Sequence, residues 1–237
     1  MDPLIFSLAF ALIAVVTFLS VRPFDKRVTL PLALLGALYL GMDDFVTGLP
    51  SSVGALDLLG GHWNWSGKLF SLALSVLAIA TLRLSREAVG LTFRQRHLKI
   101  GILSLVIFVI WGGTLGWLFE PGAADAETLL FQATMPGLAE ELAYRGIAPA
   151  ILLGWIRGQR AVEGMPWAVI VAVSILFGVW HGLSYSDGHF GFDLLSALFP
   201  LIGSIPGGWL RFKTGSLMVP ALGHGLANLA FHIVGGL

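Results

Sequence analysis

Residues 131–153 read FQATMPGLAEELAYRGIAPAILL. Glu140, Glu141 and Arg145 sit inside a stretch that is otherwise apolar. An ionised side chain at the centre of a bilayer costs at least about 2.5 kcal/mol, so such groups pair, face a polar cavity and carry function. On a helix Glu141 and Arg145 are i and i+4 and share a face. Glu140 points about 100° away. One carboxylate is then neutralised by arginine while its neighbour faces a cavity, the separate environment a general base requires. Two later apolar segments add Phe177 and His181 in FGVWHGL and His224 and Asn228 in HGLANLAFH, each pair at i and i+4. His232 continues the second face. Glu141–Arg145 alone would also suit a structural ion pair, and a lone intramembrane histidine or asparagine is often an interhelical hydrogen-bonding residue. Spread over three helices, the set points to a water-activating site at membrane depth.

Composition sets the membrane context. Of 237 residues, 56% are hydrophobic and 12% charged, half the ~25% charged fraction of a soluble domain; mean hydropathy is +0.84. There are no cysteines, which excludes disulfides, thiolate metal sites and a cysteine nucleophile. A net charge of zero implies no nucleic-acid partner. Runs long enough to cross a bilayer, about 17–25 residues each, fall at 3–21, 28–47, 68–84, 98–119, 127–156, 166–185, 192–210 and 217–236. Asp43 and Asp44 shorten the second, and Pro136-Gly137 is a candidate break in the fifth. The first, without a basic leader or small-residue cleavage site, reads as a retained helix. The expected fold class is all-α: a polytopic membrane helical bundle of about eight transmembrane helices, forming a single integral membrane domain over 1–237.

The loops alternate in charge. Arg22, Lys26 and Arg27, then Arg83, Arg86, Arg94, Arg96 and Lys99, then Arg157 and Arg160, then Arg211 and Lys213 follow odd-numbered spans. Asp43, Asp44 and Asp57, then Glu120, Asp125 and Glu127, then Asp187 and Asp193 follow even-numbered ones, with Lys68 the only base on that side. The positive-inside rule puts the basic loops in the cytoplasm and both termini outside. The outer segment GHWNWSGK suits an interfacial anchor, with a lid as the other reading. SREAVGLTFRQRHLK suits a basic amphipathic stretch on the cytoplasmic surface. His62, His97 and His189 fall in loops and are expected to be solvated.

EExxxR, FxxxH and HxxxN, in this order on separate apolar helices, resemble the three-part signature of the CPBP family, the CAAX-protease and bacteriocin-processing (Abi) intramembrane endopeptidases. Here the parts are Glu140 to Arg145, Phe177 to His181 and His224 to Asn228, with Pro136-Gly137 and Gly146 flanking the first. The resemblance spans a catalytic core region of 127–236. It implies an eight-helix intramembrane protease that hydrolyses peptide bonds of membrane-associated protein or peptide substrates. In that pattern Glu140 activates water, assisted by His181; His224 and Asn228 hold the oxyanion; Glu141 and Arg145 orient the site. Two histidines and a glutamate are also a zinc donor set, but HExxH is absent and the resemblance favours no metal cofactor. Its compact chain and short loops suggest a prokaryotic plasma (inner) membrane. The other readings are a non-catalytic immunity or scaffold protein of the same fold, which would lack a motif residue, and a proton relay, which would show inverted repeats. The motifs are complete and the ionisable cluster is confined to the second half.

Overall fold

The computed structural model describes residues 3–158 and 164–237; Arg160, one of the loop bases, lies outside them. The fold is an all-α membrane bundle with one small hairpin. Its helices are α1 (Pro3–Val21), α2 (Leu30–Ser52), α3 (Trp65–Thr81), the single turn α4 (Arg86–Val89), α5 (Leu98–Phe119), α6 (Ala126–Glu141), α7 (Ala148–Leu152), α8 (Trp167–Gly182), α9 (Leu194–Thr214) and α10 (Met218–Gly235). Each expected apolar run forms helix. By length and composition α1, α2, α5 and α10 are long and apolar enough to cross a membrane, while α3 and α8 are shorter apolar helices.

The outer surface is what a lipid solvent selects. On α1, Phe6, Phe10, Ala14 and Phe18 recur every fourth residue and are buried, whereas Leu4, Leu8, Leu12 and Val16 face outward. α5 buries only Gly101, Gly112 and Gly116 and exposes Ile102, Leu103, Val106, Ile107, Ile110 and Trp117. In water such a face would be a liability; in hydrocarbon it costs nothing.

Between apolar helices association depends on close packing. A Cβ at Gly112 or Gly116 would overlap the Ala227 or Phe231 carbonyl of α10. One at Gly137 of α6 would strike the Ala221 carbonyl, and one at Gly225 of α10 the Ala133 carbonyl. Small residues thus seat α10, which carries His224 and Asn228, between α5 and α6.

The centre of the molecule is the motif segment. Every residue from Ala139 to Leu153 is buried. Pro136 does not break α6, which continues to Glu141. The departure comes afterwards, as a π-helical turn over Leu142–Ile147 leading into α7. Pro149 has no amide hydrogen for a carbonyl of that turn, which favours a local change of pitch.

Other expectations are corrected. α2 runs on to Ser52, so Asp43 and Asp44 lie inside a helix. They are anchored by partners on other helices, described below. The sixth run stops at Gly182; residues 183–186 and 189–192 form an antiparallel hairpin with Ser186 opposite His189. Asp187 and Gly188 both have positive φ, 52° and 81°, the backbone that a two-residue hairpin turn needs and that Asp-Gly supplies. The basic stretch 85–99 keeps Arg86, Arg94, Arg96 and Lys99 exposed but is anchored at its start. Ser85 caps α4, Ala88 and Val89 are buried, and Arg211, itself buried, donates from Nη2 to the Ala88 carbonyl at 2.7 Å and the Glu87 carbonyl at 3.1 Å. Arg211 therefore closes a helix end with its charge, favourable at a C-terminus, instead of marking a free loop.

Candidate active site

Four elements deliver the motif residues. α6 and the π turn place Glu140, Glu141 and Arg145; α8 places Phe177 and His181; α10 places His224 and Asn228. All seven line one cavity of about 620 Å³. Its other walls are largely aromatic, from Trp63, Phe108, Trp111, Phe131, Trp180, Phe199 and Phe231. A polar cluster at one part of an apolar hollow is the usual form of a small-ligand or substrate site.

Glu141 is the buried hub. Its Oε1 lies 3.1 Å from Arg145 Nη1, the expected i,i+4 pair, and 2.9 Å from His224 Nδ1. A carboxylate only accepts, so Nδ1 carries the hydrogen. Nε2 is then the nitrogen left for the cavity, and it stands 3.9 Å from Glu140 Oε2. His181 is fixed in the same way: Nδ1 donates to the Phe177 carbonyl at 2.7 Å, again leaving Nε2. Its side chain is exposed along the cavity wall.

Phe177 has a physical role in this arrangement. The Arg145 guanidinium stacks over its ring at 4.1 Å. The His181 and His224 rings approach it at 4.5 and 6.0 Å between centroids. One aromatic ring thus spaces a cation and two imidazoles. Asn228 lies one turn beyond His224, and its Nδ2 donates to Gln132 Oε1 at 2.9 Å. An amide nitrogen has two hydrogens, so one remains for a ligand oxygen.

Glu140 departs from expectation in an informative way. It does not face the cavity unpaired. Oε1 accepts from Lys68 Nζ at 2.7 Å, with side-chain exposures of 9% and 8%. Lys68, taken from sequence as a base of the outer loop, is buried in the first turn of α3. Glu140 Oε2 is buried, makes no hydrogen bond and faces His224 Nε2. The carboxylate is therefore divided into one held oxygen and one available oxygen.

Lys68, Asp43, Asp44 and Gln132 were missed by sequence reasoning. Asp43 Oδ1 accepts from Ser71 Oγ at 2.6 Å, and Asp44 Oδ1 from Trp180 Nε1 at 2.7 Å. Asp44 Oδ2 accepts from Ser7 Oγ. A faint signal existed: Lys68, Ser71 and Ser75 recur at i, i+3 and i+7 on an otherwise apolar helix.

Segment 61–68 is bonded to the start of α6. Glu127 Oε1 accepts from the His62 and Trp63 backbones at 3.0 and 3.3 Å and from Trp65 Nε1 at 3.1 Å. Trp63 Nε1 donates to Thr128 and its ring stacks on Phe131 at 5.0 Å. His62, expected to be solvated, is exposed and also pairs with Glu127 Oε2 at 2.9 Å. Asp125 caps α6 by accepting from the Thr128 amide at 2.8 Å, which holds its carboxyl below the usual carboxylate range. Both tryptophans are thus tied to α6, and Trp63 lines the cavity.

Among the described residues no group of three His, Asp or Glu side chains is arranged to hold a metal ion. Glu140 Oε1 and His224 Nδ1 are already engaged by Lys68 and Glu141.

No curated protein and no solved structure matches the chain. Residues 122–230 match the family model described as Rce1-like, type II CAAX prenyl endopeptidase. That region contains all three motifs and excludes Lys68, Asp43 and Asp44. This match is consistent with the CPBP resemblance of the three motifs and with an integral membrane fold of CAAX-protease type.

Proposed function

We propose that this protein is an intramembrane endopeptidase in which Glu140 activates water against a peptide bond of a membrane-associated substrate. The observation that carries this reading is the buried, unbonded Glu140 Oε2, 3.9 Å from His224 Nε2 on the wall of the cavity. A water hydrogen-bonded to both atoms fits that span. Glu140 takes one proton from it, and the hydroxyl oxygen attacks the scissile carbonyl carbon. His224 acts as the imidazolium, protonated at both nitrogens between Glu140 and Glu141, so that its Nε2–H and the spare Asn228 hydrogen face the developing oxyanion, where preorganised donors act most strongly. Glu140 then returns its proton to the leaving nitrogen as the C–N bond breaks. His181 Nε2 assists on the water side. Glu141 and Arg145 act through His224, by holding Nδ1.

The proposed step uses no metal cofactor, the reading that the motif resemblance favours. The aromatic walls suit an apolar segment, which fits either a hydrophobic peptide or a prenylated one. A prokaryotic plasma membrane accords with the compact chain. The intact motifs weigh against a non-catalytic immunity or scaffold role.

The test is purified protein in phosphatidylcholine–phosphatidylglycerol vesicles, given a quenched-fluorescent peptide with a farnesylated C-terminal CAAX sequence and the same peptide without lipid. Cleavage of either supports the reading, and the ratio of rates reports the substrate class. No cleavage of both would favour the scaffold role. In the same assay Asn228→Ala should lower kcat by the cost of one lost oxyanion donor, about 2.7–4 kcal/mol, or about 10²–10³-fold. An unchanged kcat would remove Asn228 from the oxyanion site.

A further inference from the structure

We propose that Lys68 is a positioning residue for Glu140, so that the N-terminal helices, outside the Rce1-like region, supply a necessary part of the site. The inference rests on the protease reading above.

The geometry is specific. Lys68 Nζ is 2.7 Å from Glu140 Oε1 and 5.2 Å from the centre of the Trp180 ring, so a carboxylate and an aromatic face hold the ammonium. Asp43 and Asp44 of α2 lie within electrostatic reach of it, and each is itself fixed, by Ser71 and by Trp180. An ammonium in this setting is surrounded by negative charge on two sides and does not wander.

The consequence falls on Glu140. A free carboxylate can rotate and present either oxygen. With Oε1 held by Lys68, Oε2 is the oxygen presented toward His224 Nε2. The ammonium also offsets the cost of an ionised carboxylate at this depth. Lysine suits the task because its charge is compact and needs only one directed hydrogen bond. Glu141 Oε2 is likewise buried and unbonded; what sets Glu140 Oε2 apart is His224 Nε2, 3.9 Å away.

The test compares Lys68→Met, Lys68→Arg and Glu140→Gln in the two-peptide vesicle assay, with rates normalised to folded protein. Lys68→Met keeps the chain length and removes the charge. Its kcat should fall at least about tenfold, within the range of general-base effects, while KM stays within about twofold. Lys68→Arg should recover most of the loss. Should Lys68→Met not fold, Lys68→Gln keeps a donor without charge and is judged by the same criterion. A neutral variant with wild-type kcat, alongside an inactive Glu140→Gln, overturns the role of Lys68 and leaves the glutamate mechanism standing. A loss that Lys68→Arg does not recover at all also overturns it. Full activity of Glu140→Gln, or no cleavage by the wild type, would remove the protease reading and this inference together.

Discussion

Glu140→Gln is expected to abolish peptide cleavage while the protein stays folded. Glutamine keeps the size of the side chain and its Oε1 can still accept from Lys68, but it cannot take a proton from water. The loss is that of a general base, about 10²–10⁴-fold or more where no other group substitutes. The variant leaves Lys68 without its counter-charge, with Asp43 and Asp44 still within electrostatic reach, so the stability loss should be smaller than for removing the ammonium. Circular dichroism and thermal unfolding in detergent would check the fold, and the vesicle assay the activity. A folded Glu140→Gln with wild-type turnover would remove Glu140 as the base.

Glu141→Gln should act mainly on stability. Glu141 and Arg145 are almost wholly buried, with side-chain exposures of 3% and 5%. Removing one partner of a buried ion pair costs about 3–5 kcal/mol, because the other charge is left uncompensated. Arg145 retains its contact with the face of Phe177, which offsets part of this. His224 loses the acceptor that fixes Nδ1, so activity per folded molecule should fall as well. The double variant Glu141→Gln, Arg145→Met should regain stability without regaining activity. If Glu141→Gln melts like the wild type, the pair is not the structural hub described here.

What the sequence disclosed and what it hid follow from the range of the interactions. Pairs at i and i+4 on one helix were legible: Glu141 with Arg145, Phe177 with His181 and His224 with Asn228 all share a face of their helices and one cavity. Hydrophobic runs gave the helices because lipid-facing helices are apolar over their full length. Charges paired between helices were not legible. Hydropathy treats Asp43-Asp44 as the end of a span, although Ser7, Ser71 and Trp180 satisfy them inside one. Lys68 looked like a loop base for the same reason, since its partner lies 72 positions away. Arg211 was hidden because its partners are backbone carbonyls of α4. The hairpin was missed although Asp187-Gly188 signals one, because the apolar run before it masked the turn.

The most direct measurement is turnover by the wild-type protein with and without a chelator, followed by restored zinc, with Glu140→Gln assayed in parallel. The expected result is unchanged wild-type cleavage under chelation and none by Glu140→Gln, since Glu140 works through a proton transfer to a carboxylate. Loss of cleavage with chelator and its recovery with zinc would contradict the account, and would make Glu140, His181 and His224 candidate metal ligands.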